Sequence, residues 1–188
     1  MRRKTIIECV LVFALTTFSA CNRGRTVEAA REDGPTIGRA DERFIIQAAQ
    51  SDSAQISMAR MALEKSANSD VKDFAHMIEM DHKGALENLK DLMTKFDVRV
   101  LRGLSSELQH DIDRMSSLTG SEFDREFINM MVSDHEKTIE MFNDEASSTE
   151  DPDMKMYVEN TLPILEMHLD KARQLQAKLF SKPNRPES

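Results

Sequence analysis

The chain has 188 residues, a formal charge of −8, thirteen Met, no Trp and few aromatics. Phosphate recognition needs clustered Lys and Arg, so this acidic balance excludes nucleic acid as an expected partner, and it equally excludes a basic helix lying on a membrane surface. Gly24, Gly34 and Gly38 are three of only six glycines, so the chain after residue 40 is nearly free of helix breakers.

Residues 1–20 read as a targeting segment rather than part of the fold. Arg2-Arg3-Lys4 is a positive start, Glu8 interrupts it, and Cys9 to Leu15 (CVLVFAL) is the apolar heart. Phe18-Ser19-Ala20-Cys21 resembles a bacterial lipobox, with Phe where Leu is preferred. The resemblance implies cleavage before Cys21 and a lipid on that residue; an ordinary signal peptide cut near Ala20 is the other reading. Asn22 follows the cysteine where Asp would favour inner-membrane retention, which implies a periplasm-facing protein of the cell envelope held to the outer membrane through Cys21. Cleavage removes Arg2, Arg3, Lys4 and Glu8, a net +2, and leaves −10 with a single cysteine and no internal disulfide. Residues 21–40 are polar, Gly-bearing and aperiodic, a tether with a root-mean-square reach of about 25 Å.

Residues 41–180 read as a helical domain. Asp41 is a candidate cap for a first helix carrying Phe44, Ile45, Ala48, Ala49, Ile56, Ala59, Ala62 and Leu63 at spacings of three and four. Asn68-Ser69-Asp70 breaks it and caps a second helix with Val71, Phe74, Ile78, Ala85, Leu89 and Leu92, which fades near Asp97. A shorter amphipathic piece, Leu104 to Leu118, ends at Thr119-Gly120, and Ser121-x-x-Asp124 resembles a capping box for the next helix, marked by Phe123, Phe127, Met131, Ile139 and Phe142. Asp151-Pro152 starts the last helix, with Asp as cap and Pro at the first helical position; its stripe runs from Val158 to Leu179. Residues 181–188, with Pro183 and Pro186, read as a disordered tail.

No stretch alternates β-branched residues, so the fold class is all-α. Short links pair the first two long helices and the last two as antiparallel hairpins. About two dozen residues separate the hairpins and hold the short helix, the crossover of a ferritin-like four-helix bundle.

Two stretches repeat. FAHMIEMDHKGALENL (74–89) and FINMMVSDHEKTIEMF (127–142) align without gaps and share Phe, Met, an Asp-His pair and a later Glu. His82 lies four after Ile78, His135 four after Met131 and His168 three after Leu165, so each falls on or beside the apolar stripe of its own helix. His76 and His110 lie off the stripes. A striped His serves either packing or a site, and three neutral imidazoles with an open position form a standard ligand set for Cu, Zn or Fe. Asp81 and Asp134 are better placed to orient an imidazole from another helix than to ligate, because a helical neighbour turns about 100° away; Glu79 and Gln55 complete the candidates around the site. A di-iron centre is excluded: it needs two Glu-x-x-His pairs, and only Glu79-x-x-His82 fits, with Val132 and Leu165 in the corresponding places. The first helix offers Gln47, Gln50, Asp52 and Gln55 on its inner side but no Glu until Glu64. Pro163, five before His168, removes a backbone donor and predicts a kink.

FAHMIEMDH (74–82), LTGSEFDREFINMMVSDH (118–135) and LPILEMH (162–168), with Phe44 and Ala48-Ala49, resemble a bacterial family catalogued as domain of unknown function forty-one forty-two, over about residues 41–179. The resemblance implies a ferritin-like fold and export, and its motif positions fall on Asp81, His82, Phe123, Asp124, Asp134, His135, Pro163 and His168. Many members carry Glu where this chain has Gln55. No Ser-His-Asp order, catalytic Cys or phosphate-binding Gly-rich loop is present. Three functional readings stand: a binding or envelope-stress module with a His-lined metal site, a metal-dependent redox enzyme acting on Cu or Fe, and a purely structural or interaction protein. The mutual placement of His82, His135 and His168 discriminates among them.

Overall fold

A computed structural model describes residues 37–100 and 103–181. Its elements are α1 (Arg39–Lys65), α2 (Ser69–Lys95), α3 (Ser106–Ser116), α4 (Gly120–Ser148) and α5 (Pro152–Ser181). Helices α1 and α2 form one hairpin and α4 and α5 the other; α1 also packs on α4, and α2 on α5. The crossover between hairpins carries α3, as the element spacing predicts. No strand occurs among the described residues, and none of their helices is long and apolar enough to cross a membrane. The signal segment, Cys21, most of the tether and residues 182–188 of the tail lie outside the described residues, while Ser181 ends α5.

Several boundaries differ from the sequence reading. Gly38, not Asp41, is the N-cap of α1, and Asp41 sits in the first turn, where a carboxylate faces the positive end of the helix dipole. Helix α4 starts at Gly120 behind Thr119 with no side-chain cap, so the Ser121–Asp124 box does not form. Asp124 is instead buried, and Gly120 takes φ 57°, a left-handed conformation natural to glycine. Helix α3 ends at Ser116, short of Thr119; the Lys65 ammonium closes that end by donating to the Ser116 and Leu118 carbonyls. The other two caps form as expected. Asn68 accepts from the Asp70 amide, and the Asp151 carboxylate accepts from the Asp153 and Met154 amides at 2.9 and 3.0 Å. Helix α5 continues through Pro163.

The apolar stripes bury in two clusters. One gathers Met58, Ala62, Phe74, Ile78, Met115, Phe127 and Met131 with their neighbours; Phe123 and Phe127 stack, and Phe74 meets Phe127 edge-on. The other gathers Phe44, Ile45, Leu89, Phe142, Val158 and Leu165 around a Phe44–Phe142–Tyr157 aromatic group. On every long helix a short segment lies between the two clusters, and those segments supply Asp52, His82, His135 and His168, all buried. A polar layer thus sits at mid-bundle between two dry ones. Burying an unpaired polar group costs roughly 1–3 kcal/mol, so the partners of each group in this layer decide what it costs the fold.

Candidate metal centre

His82 from α2, His135 from α4 and His168 from α5 meet in the polar layer, and one donor nitrogen from each lies within 4.8 Å of the others. Their rings pack with centroids 5.3 to 5.6 Å apart. All three are at most 3 % exposed, whereas His76 and His110 face solvent.

The partners of each ring fix its tautomer. His82 Nδ1 stands 2.8 Å from Asp52 Oδ1; the carboxylate accepts that N–H, and Nε2 is left buried with no protein partner. His135 Nδ1 stands 2.8 Å from the Met131 carbonyl, which can only accept, so the proton is on Nδ1 and Nε2 keeps its lone pair. His168 Nε2 donates to Asp81 Oδ2 at 2.9 Å, leaving Nδ1 bare. His135 Nε2 and His168 Nδ1 therefore face each other, lone pair to lone pair, at 3.3 Å. Two acceptors at that distance repel unless a proton or a metal ion lies between them. With metal–nitrogen bonds of about 2.0 Å, a tetrahedral edge is about 3.3 Å, so this pair already has the spacing of two ligands on one ion. Bringing the third nitrogen in from at most 4.8 Å takes an imidazole shift on the order of 1 Å. The donor set fits a transition-metal ion.

Electrostatics keep the lone pairs available. Burial pushes His135 down to about 3, with the nearby His82 and His168 adding to the shift and the Met131 carbonyl opposing it. Burial also lowers His168, against the opposing pull of the Asp81 carboxylate. Desolvation raises Asp52, and its hydrogen bond to His82 partly offsets this. Both rings are neutral at pH 7, the state that binds a metal.

Asp81 serves the imidazole of another helix: it precedes His82 on α2 and holds His168 on α5. Its counterpart Asp134 touches no imidazole; Gln55 Nε2 lies 3.4 Å from its Oδ2, and burial lifts its carboxyl to about 6. Gln55 itself is buried with Oε1 unpartnered and bonds none of the three rings. Glu79 is held by Arg60 and Lys83 at 2.8 and 2.6 Å and bonds none of them either. Asp52 was placed by sequence on the inner side of α1 but given no role. Its signal was legible, since it continues the Ile45–Ala48–Ala49 stripe at spacings of seven, four and three, and a carboxylate on an apolar stripe needs a buried partner. The Met131 carbonyl has no sequence signal.

A cleft of about 250 Å³ reaches the centre; His82 and His168 line it with Asp52 and Asp81, and His135 does not.

Residues 26–175 match the family described as "Domain of unknown function (DUF4142)", and the chain belongs to that family. No protein of curated function matches it. Among solved structures, a DUF305 fragment from Deinococcus radiodurans is similar with a TM-score of 0.69 at 13 % identity, over 77 % of this chain and 99 % of that one. CopM in its Cu(I)-bound form is similar with a TM-score of 0.64 at 22 % identity, over 76 % of this chain and 98 % of that one; CopM has also been solved bound to Cu(II) and to Ag. A DUF305 protein from Streptomyces coelicolor, named as a candidate secreted protein, gives 0.66 at 11 %, over 79 % and 98 %. At these identities the likeness shows a shared helical fold.

Proposed function

We propose that this member of the DUF4142 family is a metal-binding module of the cell envelope, holding one copper-class ion on His82 Nε2, His135 Nε2 and His168 Nδ1. The observation that carries the reading is the convergence of three buried imidazoles, each with one nitrogen within 4.8 Å of the others, while the Asp52 carboxylate, the Met131 carbonyl and the Asp81 carboxylate each take up a ring N–H. Three neutral nitrogens without a first-coordination carboxylate suit Cu over harder cations, and Cu(II) heads the affinity order of divalent first-row ions. The bound ion would supply Lewis acidity or one-electron chemistry. The protein's own part is to orient the rings, keep them neutral and exclude water with the apolar cluster on either side. The similarity to CopM supports the choice of copper. The lipobox-like FSAC stretch ending at Cys21 supports an envelope location.

Metal-stripped protein made without an affinity tag tests the reading by equilibrium dialysis against Cu(I), Cu(II), Zn(II) and Fe(II), with bound metal measured by mass spectrometry. The expected result is one copper per chain, abolished in a His82→Ala/His135→Ala/His168→Ala variant whose circular dichroism remains helical. Equal copper binding by that variant overturns the site; preferential retention of Zn or Fe overturns the metal. Mass shift and membrane fractionation of a Cys21→Ser variant test the anchor, which predicts release from the membrane fraction.

A further inference from the structure

Five large apolar side chains are exposed among the described residues: Met80, Met156, Ile164, Met167 and Phe180. Phe180 has a partner, the Arg125 guanidinium 5.2 Å from its ring. The other four all lie on α2 and α5, which pack on each other, and three of them are thioethers. Met80 and Ile164 line the cleft that reaches His82 and His168, and Met156 lines an adjoining hollow that shares Asn88, Asn160 and Thr161 with it. Met80 is 54 % and Met156 57 % exposed, so neither side chain completes a core, and each leaves apolar surface in water.

The cleft is built for cations in general. Its charged lining residues are Asp52 and Asp81, and no Lys or Arg lines it. Carboxylates do not select a soft ion from a hard one; a thioether does, because neutral, polarisable sulfur holds Cu(I) and Ag(I) and hardly holds hard or strongly hydrated divalent ions. Met80 is the thioether of this cleft, one residue before the Asp81 that fixes His168.

We propose that Met80 is an access ligand, the first donor met by monovalent soft ions on their way through the α2–α5 cleft to the triad. This rests on the metal reading above and adds the class of ion and its route. His82 and His168 line the cleft and His135 does not, so an arriving ion exchanges one neutral sulfur for these two nitrogens and reaches His135 last. No electron moves and no proton is released, because each of the two rings keeps its proton on the nitrogen that faces a carboxylate, Asp52 or Asp81.

Stopped-flow loading of the metal-stripped full domain with Ag(I), which is redox-inert, tests the role. Tyr157 is the single tyrosine in a chain without Trp and lines the adjoining hollow, so its fluorescence reports loading. Met80→Leu keeps the volume and the exposed apolar character and removes the sulfur. It is expected to load Ag(I) about tenfold more slowly, a change of one decade in on-rate, with unchanged final stoichiometry and an unchanged Co(II) loading rate. Equal Ag(I) rates in wild type and Met80→Leu overturn the access role alone. Equal slowing of Ag(I) and Co(II) overturns its selectivity for soft ions. Wild-type Ag(I) stoichiometry in the triple-His variant overturns the triad reading beneath it.

Discussion

Acidifying the metal-free protein should expose the cost of burying His135. Its ordinary value of 6.5 falls to about 3 in the fold, first through burial and then through the two neighbouring imidazoles. The unfolded chain therefore takes up a proton below about 6.5 that the folded chain refuses until about 3, and stability falls as pH drops through that window. At pH 4.5 the unfolded state has gained about two pH units of proton binding, worth roughly 3 kcal/mol at about 1.4 kcal/mol per unit. For a domain of this size that is a melting-temperature drop of about 6 to 12 °C. Other buried groups work in the opposite direction over part of the range, since Asp134 and Glu145 are raised to about 6 and about 7. The decisive quantity is therefore a difference. Urea unfolding of wild type and His135→Leu at pH 7.5 and 4.5, followed by circular dichroism after chelation, isolates the His135 contribution. Leucine fills the volume without titrating, and the Met131 carbonyl lies inside α4, where the helix supplies its own donor. Wild type should lose about 3 kcal/mol more than the variant between the two pH values. Equal losses would mean that His135 is not held as a buried neutral ring, and the lone-pair argument for the centre would fail with it.

Asp81→Asn should weaken copper binding about 10- to 100-fold, because the amide accepts the His168 Nε2–H without the charge that strengthens the ligand; equilibrium competition against a chromophoric chelator measures this, and unchanged affinity would remove Asp81 from a positioning role. Glu145 is buried and raised to about 7, first by burial and then by Asp41, so its stabilising contribution is present below its unfolded value of 4.5 and is lost as pH rises through 7. Glu145→Gln should therefore gain on wild type between pH 5 and pH 8, on the order of 2 kcal/mol, read from urea midpoints at the two pH values. Phe127→Ala should cost about 3–5 kcal/mol, because the ring is fully buried between Phe74 and Phe123; the urea midpoint falls with an unchanged slope if the loss is one of packing alone.

The fold was legible because each long helix announces itself three ways: an apolar stripe, a polar break and, at Asn68 and Asp151, a side-chain cap that forms as read. The two failures of cap reading share a cause. Asp41 and Ser121 have the residue type a cap wants, but backbone conformation decides where a helix starts, and the N-caps fall earlier, at Gly38 and Thr119. At the centre, the three histidines were legible from stripe position, and the service of Asp81 to a different helix followed from the angle between helical neighbours. Asp52 lies on the buried stripe of α1, but nothing in that helix's periodicity says which imidazole of another helix its carboxyl meets. Glu79 is taken up by Lys83 one turn on and by Arg60 of α1, and Asp134 stands beside Gln55 of α1; the two partners from another helix, Arg60 and Gln55, are encoded in no periodicity.

The repeated Asp-His pair gains its meaning from the way the repeat is broken. If both halves behaved alike, Asp81 and Asp134 would each hold an imidazole across the bundle, and the layer would carry two equivalent carboxylate–imidazole pairs. Instead Asp81 holds His168, while Asp134 pairs with Gln55 and His135 is held by its own helix through the Met131 carbonyl. The second carboxylate comes from Asp52, outside the repeat, onto His82. Two rings are thus backed by side-chain carboxyl groups and the third by a backbone carbonyl. His82 and His168 are the stronger donors, because a carboxylate partner raises ligand basicity, and they are also the two that line the cleft. An ion entering there meets the better ligands first and the weaker one last. On this arrangement His135→Ala should cost less affinity than His82→Ala or His168→Ala. Competition titrations of the three single variants against the same chelator measure the order, and a His135→Ala loss equal to or larger than the other two would refute it.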